Sequence, residues 1–100
     1  MIKHIVFWRV KGRDIEDTRE QTAQAIKAKI DGLRGRIPGM IHIEGAVDFN
    51  RGETAYDVVL YSEFESREAL DGYQVHPAHQ EIIAFIGERR TERAIVDYEI

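Results

Sequence analysis

Apolar and polar residues follow regular patterns along most of this 100-residue chain, and these patterns predict four strands and the helices between them. Residues 2–10 are β-branched or aromatic, which is typical of a strand, and both of its faces are apolar in the middle. Residues 55–64 show the same pattern. Residues 40–48 alternate with one wetter face, which predicts a strand near a sheet edge, and residues 94–99 predict a final strand.

Helices are predicted between these strands. Asp14 is placed to cap a first helix, whose apolar stripe runs from Ile15 to Ile37. Gly35 and Pro38-Gly39 are expected to end this helix. Ser66 is placed to cap a shorter helix. That helix should stop at His76-Pro77, because proline disfavours helical backbone at the preceding residue, and a new helix should then run to Gly87. The arginine-rich segment 89–93 is interpreted as a solvated turn.

The predicted order, β-α-β-β-α-β, is that of a ferredoxin-like α+β fold with a four-stranded antiparallel sheet, formed by a single domain over residues 1–100. Right-handed crossovers place the first and third strands in the centre. Two helices cover only one face of such a sheet. The opposite face, with Ile5, Phe7 and Val59, should therefore associate with a second copy, giving a homodimeric α/β barrel.

Composition narrows the classes of function. Hydrophobic residues make up 43% and charged residues 32% of the chain, as in an ordinary globular protein. The net charge of −4 predicts no attraction to nucleic acid or anionic membranes. The absence of cysteine excludes disulfides and a thiol nucleophile, and fits a reducing compartment. Without a signal peptide or a membrane-length apolar run, we expect a cytoplasmic protein.

Metal and phosphate sites are not indicated by the sequence. Asp48, Glu53 and Glu63 are scattered and lack metal-ligand spacing, and the glycines do not form a phosphate loop. We therefore expect no cofactor.

The segment from Tyr73 to His79 concentrates the residues best suited to chemistry. It brings a phenol and two imidazoles within seven residues, around a proline that opens a helix. Apolar residues recur after His79 with helical spacing, at Ile82, Ile83 and Ile86, so the imidazole lies on the buried stripe. A titratable side chain that faces inward beside a tyrosine is a candidate for acid/base catalysis.

Several short motifs resemble the stress-responsive A/B barrel domain family over nearly the whole chain. They are Lys3-His4-Ile5-Val6, Ile37-Pro38-Gly39-Met40, Phe64-Glu65-Ser66 and His76-Pro77-Ala78-His79. The resemblance implies a dimeric α+β barrel, which agrees with the predicted fold. It implies much less about activity, because many members have no assigned reaction, and some members carry a magnesium ion.

One characterised class in that family is the plant polyketide cyclase that forms olivetolic acid by a cofactor-independent aldol condensation. The resemblance implies His79 as acid/base, Tyr73 as a matching tyrosine, and Asp97 as the residue that orients His79. From its chemistry we expect Tyr73 to donate a hydrogen bond to an oxyanion. The residues implied or expected to line the substrate pocket are His4, Val6, Trp8, Val58 and Ile30. This chain has Val58 and Ile30 where the cyclase has a histidine and a tyrosine, so a different substrate is expected.

The sequence is compatible with two classes of function. The first is a cofactor-independent cyclase, isomerase or monooxygenase that acts on a small carbonyl or aromatic compound. The second is a non-catalytic dimer that binds a small molecule or has a structural role, in which His79 is a core histidine satisfied by Asp97 and Tyr73. Haem binding through His79 is a weaker third option. An enclosed pocket reached by both Tyr73 and His79 favours the first class, and a filled core favours the second.

Overall fold

The computed structural model describes residues 1–100, and its four strands form one antiparallel sheet in the order β2-β3-β1-β4. The elements in chain order are β1 (Ile2–Val10), α1 (Glu16–Asp31), β2 (Met40–Val47), β3 (Val58–Phe64), α2 (Arg67–Gln74), α3 (Pro77–Gly87) and β4 (Arg90–Glu99). This is the predicted ferredoxin-like α+β fold, with the second helical segment divided in two. No helix is both long enough and apolar enough to cross a membrane.

The central strands were predicted correctly, since β1 lies between β3 and β4, and β3 lies between β2 and β1. Alternate residues of β1 face the helices and are buried, and the same holds for β3. We call this the inner face of the sheet. The hydrophobic core lies between the inner face and the helices, and includes Trp8, Ile26, Phe64 and Ile86.

The break before Pro77 is confirmed. Ser66 caps α2 by accepting a hydrogen bond from the backbone N–H of Ala69. His76 caps α3, because its Nδ1 accepts from the N–H of Ala78 at 3.0 Å, and Pro77 occupies the first turn. The backbone is extended at His76, so two short helices replace one continuous helix.

The ends of α1 differ from the prediction. The helix begins at Glu16, and Ile15 is its N-terminal flanking residue, with no side-chain cap from Asp14. Ile15 is exposed, so it is not part of the buried stripe. At the other end the helix stops at Asp31, although Leu33 and Ile37 are buried beyond it. The apolar spacing continues past the end of α1 because Leu33 and Ile37, in the turns that follow the helix, also pack into the core.

The interpretation of residues 89–93 as a solvated turn is wrong for most of the segment. Strand β4 begins at Arg90, and Arg93 and Glu92 pair with Trp8 and Arg9 of β1. Polar residues are accommodated because β4 is an edge strand and most of its side chains remain exposed. In β2, the pairing with β3 is irregular between Met40 and His42, and Ile41 is exposed there.

The outer face of the sheet, which no helix covers, carries Ile5, Phe7 and Val59, and all three are half-buried. A groove of about 540 Å³ lies on this side of the sheet, beneath the β2–β3 loop, and its lining includes Phe7, Tyr56 and Val59. The uncovered apolar face expected from the sequence is therefore present.

Candidate functional site

Tyr73 and His79 lie together, as predicted, because the bend at Pro77 directs the end of α2 and the start of α3 toward the inner face. Their ring centroids are 4.3 Å apart, and both side chains are buried. The His4 ring, on β1, lies below them, with its centroid 6.0 Å from that of Tyr73. Three polar rings thus meet between the sheet and α2 and α3.

These rings line a small cavity of about 10 Å³, which is room for about one water molecule. Arg93 at the edge strand is its charged lining residue. The remaining lining is apolar and comes from β1, β3 and α3: Val6, Trp8, Leu60, Ile82, Ile83 and Ile86. The space expected beside His79 is present, but it is nearly filled by the protein's own side chains.

Asp97 contacts His4 and not His79, which corrects the orienting contact expected from the sequence. Its Oδ1 lies 2.5 Å from Nδ1 of His4. The reason is the strand register, because Asp97 stands directly opposite His4 in the β1–β4 pairing and on the same face. Nδ1 of His79 lies instead 3.1 Å from the backbone carbonyl oxygen of Gln74, the last residue of α2.

The hydrogen bonds determine where each imidazole carries its proton. A carbonyl oxygen or a carboxylate only accepts, so the neutral rings of both His4 and His79 donate from Nδ1. Nε2 of each ring then carries the lone pair, and neither Nε2 has a hydrogen-bond partner in the protein. The two imidazoles are therefore held in the same tautomer at the same cavity.

Burial shifts the pKa values of His79 and Tyr73. Desolvation lowers the pKa of His79, and the nearby His4 and Arg93 lower it further, against the hydrogen bond to Gln74. Desolvation alone raises the pKa of Tyr73, whose hydroxyl has no hydrogen-bond partner in the protein. At neutral pH the site therefore presents a neutral His79 imidazole and a protonated phenol.

Of the remaining residues expected to line a pocket, Val6 and Trp8 do line this cavity, whereas Val58 and Ile30 do not. Ile30 belongs to α1, where it packs close to Gly45 of β2. Val58 lies at the far end of β3 and lines the 540 Å³ groove instead. Each of these side chains therefore faces a different part of the structure from the space under α3.

Sequence reasoning missed Arg93 and undervalued His4. Interpreting the segment as a turn conceals Arg93, whereas a strand starting at Arg90 places Arg93 opposite Trp8. The importance of His4 depends on its pairing with Asp97, and that pairing follows from the register of two strands 93 residues apart in the sequence. The structure contains no group of three or more His, Cys, Asp or Glu side chains placed to hold a metal ion.

The family model for the stress-responsive A/B barrel domain matches residues 2–100 of this chain. No curated protein sequence among those compared matches it significantly. Among solved structures, a dimeric protein of unknown function with a ferredoxin-like fold, from Bacteroides fragilis, is 29% identical. That match covers 99% of this chain and 95% of the other, with a TM-score of 0.86.

Two more distant structures share the fold. A dimeric ferredoxin-like protein of unknown function from Thermobifida fusca is 23% identical, with 99% of this chain and 90% of that chain covered and a TM-score of 0.78. A hydroxynitrile lyase from Passiflora edulis is 18% identical, with 99% and 92% covered and a TM-score of 0.78. The match of the family model across nearly every residue shows that this chain belongs to the stress-responsive A/B barrel domain family.

Proposed function

We propose that the inner cavity is a cofactor-independent acid/base site acting on a small molecule that carries a carbonyl or hydroxyl group. One observation carries this proposal. His4, Tyr73 and His79 line the same cavity, and each keeps one polar atom there or nearby without a partner in the protein. Three polar side chains that converge on one cavity, each with an atom free to hydrogen-bond, indicate a place where another molecule can supply the partner.

His4 is the proposed acid/base, and Asp97 is the residue that orients it. The carboxylate fixes Nδ1–H and stabilises the imidazolium that forms when Nε2 accepts a proton. This assignment differs from the expectation for His79, because Asp97 contacts His4 and not His79, and burial lowers the pKa of His79.

Tyr73 and His79 have supporting roles in this proposal. The phenol of Tyr73 remains protonated because burial raises its pKa, so it donates a hydrogen bond to a developing oxyanion. The free Nε2 of the neutral His79 accepts a hydrogen bond from a substrate hydroxyl. The existence of a hydroxynitrile lyase with this fold makes cleavage of a cyanohydrin a sensible first reaction to assay.

The test is turnover of a panel of small cyanohydrins and β-dicarbonyl compounds by the wild type and by His4→Gln, Asp97→Asn and Tyr73→Phe. Removing a positioned acid or base costs about 10²–10⁴ in rate, so His4→Gln should show the largest loss. His42→Gln is the matched control, because His42 lies exposed on the edge strand β2. Wild-type activity in His4→Gln, or no turnover of any panel member, would count against the proposal.

A second candidate is a non-catalytic protein, and the size of the cavity favours it. A space of about 10 Å³ holds about one water, and that water can pair with two to four polar atoms. The three rings and the water would then form a closed polar network. A high-resolution crystal structure with one water bonded to His4, Tyr73 and His79, together with an inactive panel, would support this candidate.

We also propose a homodimer formed through the outer face of the sheet. Ile5, Phe7 and Val59 are only half-buried there, and relatives with this fold are dimeric. Val59→Lys would place an unpaired ammonium in that interface and should dissociate or unfold the dimer. Sedimentation velocity at micromolar concentration tests this, and a stable wild-type monomer would refute it.

A further inference from the structure

Arg93 is a cation at the edge of the cavity with no anionic partner in the protein. Seven other arginines each lie within 4.0 Å of a carboxylate: Arg9, Arg13, Arg19, Arg34, Arg51, Arg67 and Arg89. Arg93 has no such ion pair, although it lines the cavity with His4, Tyr73 and His79. Its charge also lowers the pKa of His79, so the two groups are near enough to interact.

The surface beside Arg93 is apolar. Ile95 follows two residues later on the same face of β4, directly opposite Val6, which itself lines the cavity. Ile83 of α3 also lines the cavity. Both isoleucines are partly exposed, at 41% for Ile95 and 38% for Ile83. A strip between α3 and β4 therefore offers apolar contact area next to an unpaired guanidinium.

The size of the cavity limits which part of a ligand can enter it. A cavity of about 10 Å³ admits a single oxygen-sized group, so the body of any ligand must remain over the strip. A guanidinium binds a carboxylate through two parallel hydrogen bonds, which gives both affinity and orientation. A matching ligand therefore carries a carboxylate to pair with Arg93 and an apolar body to contact the strip.

We propose that the strip formed by Ile83, Ile95 and Arg93 binds a small carboxylate with an apolar body, such as an aryl or alkyl acid. Arg93 holds the carboxylate, and the two isoleucines contact the body. A carbonyl or hydroxyl oxygen of the same molecule then reaches His4, Tyr73 and His79. The identity of this molecule as a substrate depends on the proposed function, but its binding does not.

Binding of phenylacetate, followed by NMR chemical shifts, tests this inference against the neutral isostere phenylacetamide. We expect the wild type to bind phenylacetate more tightly, and Arg93→Gln to weaken phenylacetate at least about tenfold while phenylacetamide changes little. The matched control is Arg90→Gln, which removes the same charge from the same strand at a residue that does not line the cavity. Circular dichroism establishes that both variants are folded.

A second readout comes from the His79 ring in the same experiment. A bound carboxylate offsets the positive charge of Arg93, so phenylacetate should raise the pKa of His79 in the wild type and not in Arg93→Gln. Equal binding of the two probes, equal behaviour of the two arginine variants, or no binding of phenylacetate would overturn the inference.

The outcome is separable from that of the proposed function. Phenylacetate binding that depends on Arg93, with turnover unaffected by His4→Gln, would retain the binding strip and remove the acid/base site. Turnover that depends on His4, with no role for Arg93 in phenylacetate binding, would give the opposite result.

Discussion

Strands β1 and β4 pair with each other along nearly their whole length, yet the same face of the sheet is buried in one and exposed in the other. The inner residues of β1, including His4 and Trp8, are at most 3% exposed. Their partners on β4, Asp97 and Arg93, are exposed to solvent. The helices cover the inner face over β1 and stop short of β4.

This difference explains where the candidate site lies. A polar ring buried at β1 would be costly unless paired, and the exposed neighbour on β4 supplies the pairing carboxylate. One member of this hydrogen-bonded pair is therefore buried and the other is exposed, since His4 is 2% and the Asp97 side chain 42% exposed. A boundary between covered and uncovered sheet is a place where a titratable group is both shielded and reachable.

The largest expected effect tests the contrast between the two strands directly. Trp8→Ala removes a large side chain that is 2% exposed on β1, and should lower the free energy of unfolding by about 3–5 kcal/mol. Ile95→Ala on β4 should cost about 1 kcal/mol or less, because that side chain is already partly in solvent. Urea denaturation at a fixed protein concentration measures both, and similar losses would contradict the contrast.

A smaller effect is expected at Gly45, where α1 lies close against β2. A Cβ at Gly45 of β2 would lie 3.1 Å from Cα of Lys27 and 3.2 Å from Cβ of Ile30, so Gly45→Ala must displace α1. We expect a loss of about 1–3 kcal/mol.

Gly72 provides the control for that variant, since it lies within α2 and a Cβ added there would meet no atom within 4 Å beyond its own helix backbone and chain neighbours. Gly72→Ala should stabilise the protein by about 0.5–1 kcal/mol, because alanine is the better helix former. Thermal unfolding of the two variants checks both signs, and a stabilised Gly45→Ala would show that α1 does not constrain β2.

The third prediction concerns the dependence of stability on pH. Burial lowers the pKa of His79 in the folded chain below its ordinary value of 6.5. Below about pH 6.5 the unfolded chain therefore binds this proton first, and the free energy of unfolding falls as the pH decreases toward the folded pKa. His79→Gln should flatten this part of the stability profile. His42→Gln, at an exposed position, should leave it unchanged, and parallel profiles for all three proteins would contradict the shift.

The smallest effect is expected for an ion pair at the exposed edge. Arg67 and Glu99 lie 3.0 Å apart, but both side chains are more than half exposed. Arg67→Ala should change the free energy of unfolding by less than about 1 kcal/mol, and its effect should shrink in high salt. Urea denaturation at low and high salt measures this, and a larger, salt-independent loss would mean that Arg67 stabilises the edge by packing.

Most of the fold was predictable because its signals are local. The two strands apolar on both faces, 2–10 and 55–64, identified the sheet centre, and Ser66 and Pro77 marked helix starts through their own backbone chemistry. The ends of α1 and β4 were less predictable. Leu33 is buried from a turn and Arg90 joins a strand at an edge, so neither residue type indicated its element.

The contacts of the candidate site also fall into two groups, those predictable from local sequence and those that depend on the tertiary structure. Sequence by itself determined the family, the ferredoxin-like order, and the meeting of Tyr73 with His79, because the proline bend that joins them is encoded within seven residues. Only the tertiary structure decided that Asp97 pairs with His4 and that Arg93 reaches the cavity. Those contacts depend on the register of two strands at opposite ends of the chain and on how far the helices extend over them, and neither is written in any local pattern.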